Sequence, residues 1–193
     1  MSRIKTKFEE LQKEGKKALI AFISSGDPDF DTSLTVIKAM IENGIDILEL
    51  GIPFSDPTAD GPVIQTASQR SLKSGFTLRR VFDMVTEIRQ YSQIPLIIFS
   101  YYNPIMHLGG RTFYDLAMQS GVDGALIVDL PIDEAAELTD QFPDNKLDII
   151  RLVAPTSPKE RMHYIAKNGA GFIYLISQMG VTGKSNADQQ EVA

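Results

Sequence analysis

Residues Leu48 to Gly61 read LELGIPFSDPTADG. The stretch ends an apolar run, Ile45, Ile47, Leu48 and Leu50, whose strand-like end the acid Glu49 interrupts. It then breaks at Gly51 and Pro53 into a loop carrying Asp56 and Asp60. Period-2 alternation predicts Glu49 on the face of Ile45 and Ile47, with Leu48 and Leu50 on the other, so both faces of the strand are apolar. A carboxyl group there is poorly solvated. Loss of water disfavours its charged form, which raises its pKa and suits it to donate a proton near neutrality. A lone strand-end glutamate is ordinarily a solvated edge residue or an ion-pair partner, but the apolar residues on both faces favour the catalytic reading.

Strands and helices alternate on either side of this stretch. Upstream, Arg3 to Glu14 sets Ile4, Phe8 and Leu11 at helical spacing, a short amphipathic helix suited to cap one end of a larger body. ALIAFISS then reads as a buried strand closed by Gly26-Asp27-Pro28. Asp31-Thr32-Ser33 supplies caps for a helix through Glu42, and the second strand spans Ile45 to Leu50. Downstream, Pro62 opens a helix through Lys73, and another follows Thr77 with Leu78, Val81, Phe82, Val85 and Ile88 inward. Strand three is Pro95 to Ser100, with Tyr101-Tyr102-Asn103-Pro104 beginning its loop, and Phe113 to Ser120 is helical. Gly124 to Asp129 is strand four, Asp133 to Gln141 a helix, and Leu147 to Val153 strand five. Thr156 or Ser157 caps a helix through Lys167, Gly171 to Ser177 is strand six, and the loop Gln178 to Gly183 follows.

Six such units predict a parallel sheet covered by helices. A doubly wound open sheet would announce a nucleotide with a glycine-rich turn after its first strand, and none is there; Gly169-Ala170-Gly171 precedes a strand instead. A TIM (β/α)8-type barrel draws active groups from several strand ends at one face. Asp27, Glu49, Tyr101, Asp129 and Thr182 all fall at or just beyond such ends.

The 193 residues are 43% apolar, enough for a sizeable core, and 25 acids against 19 Lys and Arg give a net charge of -6. That mildly acidic balance argues against nucleic acid or an anionic membrane as partner. The absence of cysteine excludes disulfides and thiolate metal sites. His107 and His163 sit in no cluster at metal spacing. The charged opening MSRIKTKFEELQKEGKK does not suit a signal peptide, and no apolar run approaches the roughly 20 residues of a membrane span. A soluble, cytoplasmic protein is expected.

The string LELGIPFSDPTADG closely resembles the signature of the tryptophan synthase alpha chain family. The resemblance continues at Ser25-Gly26-Asp27-Pro28, Tyr101-Tyr102-Asn103-Pro104, Val128-Asp129-Leu130-Pro131, Gly171 to Leu175 and Gly180-Val181-Thr182-Gly183. It implies cleavage of indole-3-glycerol phosphate to indole and glyceraldehyde 3-phosphate on an eight-stranded barrel, without cofactor or metal. Pyridoxal phosphate is then expected only in a tryptophan synthase beta chain partner, within an alpha2-beta2 tetramer. By the same resemblance Glu49 delivers the proton to ring carbon three and Asp60 faces the ring N-H. Phe22, Ile64, Phe99, Tyr174 and Ile176 line the apolar indole slot, although a purely core role fits each of them as well. Thr182 orients Asp60 from a closing loop, and Gly183 offers a backbone N-H to the phosphate.

The chain departs from the family's pattern in places. Thr58 replaces an aliphatic residue and Gln178 stands where many relatives have arginine, which bears on loop closure. The expected remainder of the barrel, strands seven and eight with their phosphate-binding glycine turns, would lie past Ala193, so the sequence reads as a fragment or as part of a longer expressed chain. The resemblance therefore predicts a single barrel domain over residues 1–193, cut short of those strands, with weakened phosphate binding. Two other readings keep the fold: a regulatory subunit that only activates its beta partner, and another phosphate-binding barrel enzyme such as an isomerase.

Overall fold

The computed structural model of the protein describes residues 2–176 apart from 143 and 145. Six parallel strands are hydrogen-bonded in the order in which the chain makes them: β1 (Ile20–Ser24), β2 (Ile47–Gly51), β3 (Leu96–Ser100), β4 (Gly124–Ile127), β5 (Asp148–Val153) and β6 (Ile173–Leu175). A doubly wound sheet reverses its strand order part-way; this one never does, and the winding is that of a TIM-type barrel. Helix α1 (Arg3–Lys13) precedes the sheet. The crossovers carry α2 (Phe30–Glu42), α3 (Pro62–Lys73), α4 (Leu78–Arg89), α5 (Tyr102–Leu108), α6 (Gly110–Ser120), α7 (Ala136–Thr139) and α8 (Lys159–Asn168).

Strand alternation sorts the apolar residues into two layers. Leu48, Leu50, Leu96, Ile98, Ala125 and Ile149 face outward and pack beneath α4 and α6, against Val81, Val85, Ile88, Phe113 and Ala117. Ile47, Ile97, Leu126 and Ile150 face the lumen and meet Ile4 of α1. The first helix thus closes the N-terminal end of the barrel, as its amphipathic stripe predicted. Gly124 makes room for it, since a Cβ there would lie 3.1 Å from Ile4 Cδ1 and 2.8 Å from the Asp148 carbonyl. Ile45, expected on the face of Glu49, precedes β2 and packs against the outer layer instead.

A buried acid ties this closed end together. Asp123 accepts from Arg89 Nη2 at 2.6 Å, from Arg3 Nη1 at 2.9 Å and from the Leu96 amide at 2.9 Å. Removing the carboxylate leaves Arg89, whose side chain is only 10% exposed, with backbone carbonyls of Gly121, Ser92 and Ile94 and no opposite charge paired with it among the described residues. Asp123→Ala is therefore expected to cost about 3 kcal/mol of stability, read by urea unfolding. Unchanged unfolding would show that the two arginines find other partners.

Several expected boundaries shift for local reasons. The α2 cap is Asp29, whose carboxylate accepts the Thr32 amide at 2.8 Å, rather than Asp31-Thr32-Ser33. Tyr102 to Pro104, read as loop, opens α5, where Pro104 occupies the first turn and its missing N–H costs nothing. The helix expected over Asp133 to Gln141 is a single turn, Ala136–Thr139, between other turns. Neither Thr156 nor Ser157 caps α8; the Ser157 amide donates to the Ala154 carbonyl in a turn, and Pro158 holds the cap position. Strand six is three residues long, and Ser177 and the loop Gln178 to Gly183 lie outside the described residues.

Candidate active site

All five residues of β2 are buried, and the pairing sets Glu49 beside Phe22 of β1 and Ile97 of β3. Glu49 is 3% exposed and its Oε1 has no hydrogen-bond partner among the described residues. A carboxylate in that position would have lost its water with nothing in exchange, so burial pushes the group up to about 7. Tyr174 on β6 feels the Glu49 charge, and burial together with that charge raises its phenol.

Above Glu49 the lumen is aromatic. Phe22 and Phe99 meet edge to face with centroids 5.3 Å apart, and Phe99 meets Tyr174 in the same way at 6.5 Å. Gly51 supports the arrangement: a Cβ there would lie 2.5 Å from the Phe22 ring. Phe22, Gly51, Asp60, Ile64, Phe99 and Tyr101 share a narrow cleft at the C-terminal ends of β1 to β3. Asp60 sits at its rim at the end of the β2–α3 loop, partly buried. Burial raises its carboxyl, and the Tyr101 hydroxyl offsets part of that rise.

Tyr101 emerges from the structure as a site residue that the sequence marked only as a strand-end tyrosine. It is 4% exposed, its hydroxyl accepts the Ala59 amide at 2.9 Å, and its ring packs on Phe54 with centroids 5.2 Å apart. It thereby fastens the loop that carries Asp60 to the end of β3.

Of the residues expected to line the slot, Phe22, Ile64 and Phe99 line the cleft with Asp60, Tyr174 packs on Phe99, and Glu49 stands beside Phe22 in the strand pairing without lining that cleft. Ile176 is not among the residues lining that cleft; its amide continues the β5–β6 ladder to the Val153 carbonyl, and it lines a hollow with Val128, Leu130 and Leu152, of which Val128 and Leu152 share the lumenal cluster of Tyr174. Thr182 and Gly183 lie outside the described residues. Asp129 accepts the Tyr102 amide at 2.7 Å and Asp27 pairs with Arg70, so both organise loops. Among the described residues no group of three or more His, Cys, Asp or Glu could hold a metal ion.

A six-strand barrel with two acids around an aromatic cleft fits more than one chemistry, and comparison with known proteins decides between them. The sequence profile described as tryptophan synthase alpha chain matches residues 8–193. The chain belongs to the tryptophan synthase alpha chain family. Over 193 residues it is 54% identical to the tryptophan synthase alpha chain of Desulfatibacillum aliphaticivorans, covering 100% of this chain and 73% of that one. The Desulfosudis oleivorans alpha chain is 52% identical with the same coverage. Among solved structures, tryptophan synthase of Mycobacterium tuberculosis superposes with a TM-score of 0.91 at 34% identity, covering 99% of this chain and 74% of that chain. The alpha subunit of Legionella pneumophila gives 0.87 at 37% identity, covering 91% and 68%. The tryptophan synthase alpha chain is a carbon-carbon lyase of tryptophan biosynthesis that cleaves indole-3-glycerol phosphate to indole and glyceraldehyde 3-phosphate.

Proposed function

We propose that in this chain Glu49 is the general acid of that cleavage and Asp60 the acceptor for the ring N-H. The observation that supports this best is a buried carboxyl group beside the aromatic residues of the lumen, its Oε1 without a hydrogen-bond partner among the described residues, that burial holds up to about 7. Cleavage needs a proton delivered to ring carbon three and another taken from the side-chain hydroxyl that becomes the aldehyde as the carbon-carbon bond breaks; the Glu49 carboxylate left by the first transfer takes the second, so the two balance. Protonation of the carbon places positive charge on the ring nitrogen. A carboxylate at the rim stabilises that charge as it develops, and the split between a dry acid and a wetter acceptor follows from their surroundings.

Phe22, Ile64, Phe99 and Tyr174 would hold the indole, with Thr182 and Gly183 assigned to loop closure and phosphate binding by resemblance. Every step is proton transfer and positioning, for which this reading requires neither metal nor organic cofactor. Pyridoxal phosphate belongs to the beta chain, the proposed partner in an alpha2-beta2 assembly. The solved tryptophan synthase complex of Pyrococcus furiosus, 44% identical where matched, supports that pairing. Residues 1–193 are assigned to one barrel domain, and a cytoplasmic site of action is consistent with there being no membrane-spanning helix among the described residues.

The decisive assay is indole release from indole-3-glycerol phosphate by the purified protein, alone and with the beta chain. Release well above the uncatalysed rate is expected in both. Background release together with stimulation of the beta reaction would replace this reading with the regulatory one.

A further inference from the structure

The loop between β1 and α2, residues 25–29, is stitched along its length to α3. Arg70 Nε and Nη2 donate to the two carboxylate oxygens of Asp27 at 2.7 Å each, and Ser71 Oγ donates to the Ser25 carbonyl at 2.6 Å. Beyond the helix, Phe76 lies against Gly26, where a Cβ would meet the ring at 2.1 Å; the φ of +74° there also calls for glycine. The other end of α3 belongs to the site. Asp60 stands two residues before Pro62, Gln65 Nε2 donates to the Asp60 carbonyl at 2.7 Å, and Ile64 lines the cleft. Facing them, Phe22 lies on β1, the strand that leads into the stitched loop.

We propose that the Asp27–Arg70 pair is a positioning clasp for the lyase reaction, setting α3 against the end of β1 and with it the separation of Asp60 and Ile64 from Phe22. The clasp deepens the assignment of Asp60 as acceptor and rests on it. Its arginine side chain is 52% exposed and its aspartate 16%, and a pair open to solvent through its arginine contributes only modestly to global stability. Catalysis is far more sensitive, because a displacement on the order of 1 Å at the reacting groups is costly. That difference separates positioning from folding.

The test is indole release by the full chain in the Arg70→Gln and Asp27→Asn variants and in the reversed pair, Asp27→Arg with Arg70→Asp. Each single variant is expected to lose about tenfold in kcat at an unchanged thermal midpoint, and the reversed pair to regain most of it. About 1 M NaCl should bring the wild type toward Arg70→Gln while leaving that variant flat, since an exposed pair is screened. On an Asp60→Asn background, Arg70→Gln should add less than it does alone. Wild-type kcat in the singles, or a loss that only follows a fallen midpoint, overturns the clasp. Asp60→Asn at full rate overturns the acceptor assignment and the clasp's route through it; a slow Asp60→Asn beside a wild-type Arg70→Gln overturns the clasp alone.

Discussion

Glu49→Gln is expected to lower kcat for indole release roughly a thousandfold, the effect of removing a well-placed general acid. The amide keeps the volume and polarity of the protonated carboxyl and cannot give up a proton, so substrate binding should change little. The protonated form is the active one, and burial places its titration at about 7. Wild-type activity should therefore fall as pH rises through that value. Stability follows the same group. The folded state holds the proton more tightly than the unfolded chain, whose carboxyl titrates near its ordinary 4.5. Stability is then greatest below that ordinary value, declines as pH rises toward 7, and above it is reduced by on the order of 3 kcal/mol, the cost of a buried charge. Glu49→Gln should flatten this response in urea unfolding between about pH 5 and 8. A variant that turns over at the wild-type rate would remove the acid from the mechanism.

Asp60→Asn should cost about a hundredfold in kcat, because an amide in place of a carboxylate no longer offsets the positive charge that builds on the ring nitrogen. Stability should barely move, since Asp60 stands at the rim of the cleft. Its pH signature is opposite to that of Glu49. Asp60 works ionised, and burial lifts its carboxyl above the ordinary value even with the Tyr101 hydroxyl opposing, so activity falls on the acid side. Together the two acids give a bell-shaped rate profile, and Asp60→Asn should erase its acid limb while the alkaline limb persists. An unaltered acid limb would assign that titration to another group.

The sheet was legible because a parallel strand is apolar on both faces and stands out between turn residues, as Leu96 to Ser100 does after Pro95. Pro62 at a helix start and the stripe of Val81, Phe82, Val85 and Ile88 were equally plain. Helix α5 was hidden because Tyr102-Asn103-Pro104 has the composition of a turn, and only the position of Pro104 in the first turn makes it harmless. Glu49 could be picked out because burial on both faces can be inferred locally. Tyr101 and Arg70 could not, since each acts on a partner about forty residues away, Ala59 and Asp27, that no local pattern couples to it. Ile176 was assigned to the slot by resemblance, and it lies in a hollow beside Val128 and Leu152, which pack in the lumenal cluster with Tyr174.

Each strand finds its neighbour in the segment made next, so the sheet can grow in step with synthesis. Helix α1 cannot keep that order. Its Arg3 and Ile4 find their seats at Asp123, Gly124 and Gly171, residues that leave the ribosome well over a hundred positions later. The helix can meet Ile47 and Ile97 early, but its seat is complete only once β4 and the turn before β6 have emerged.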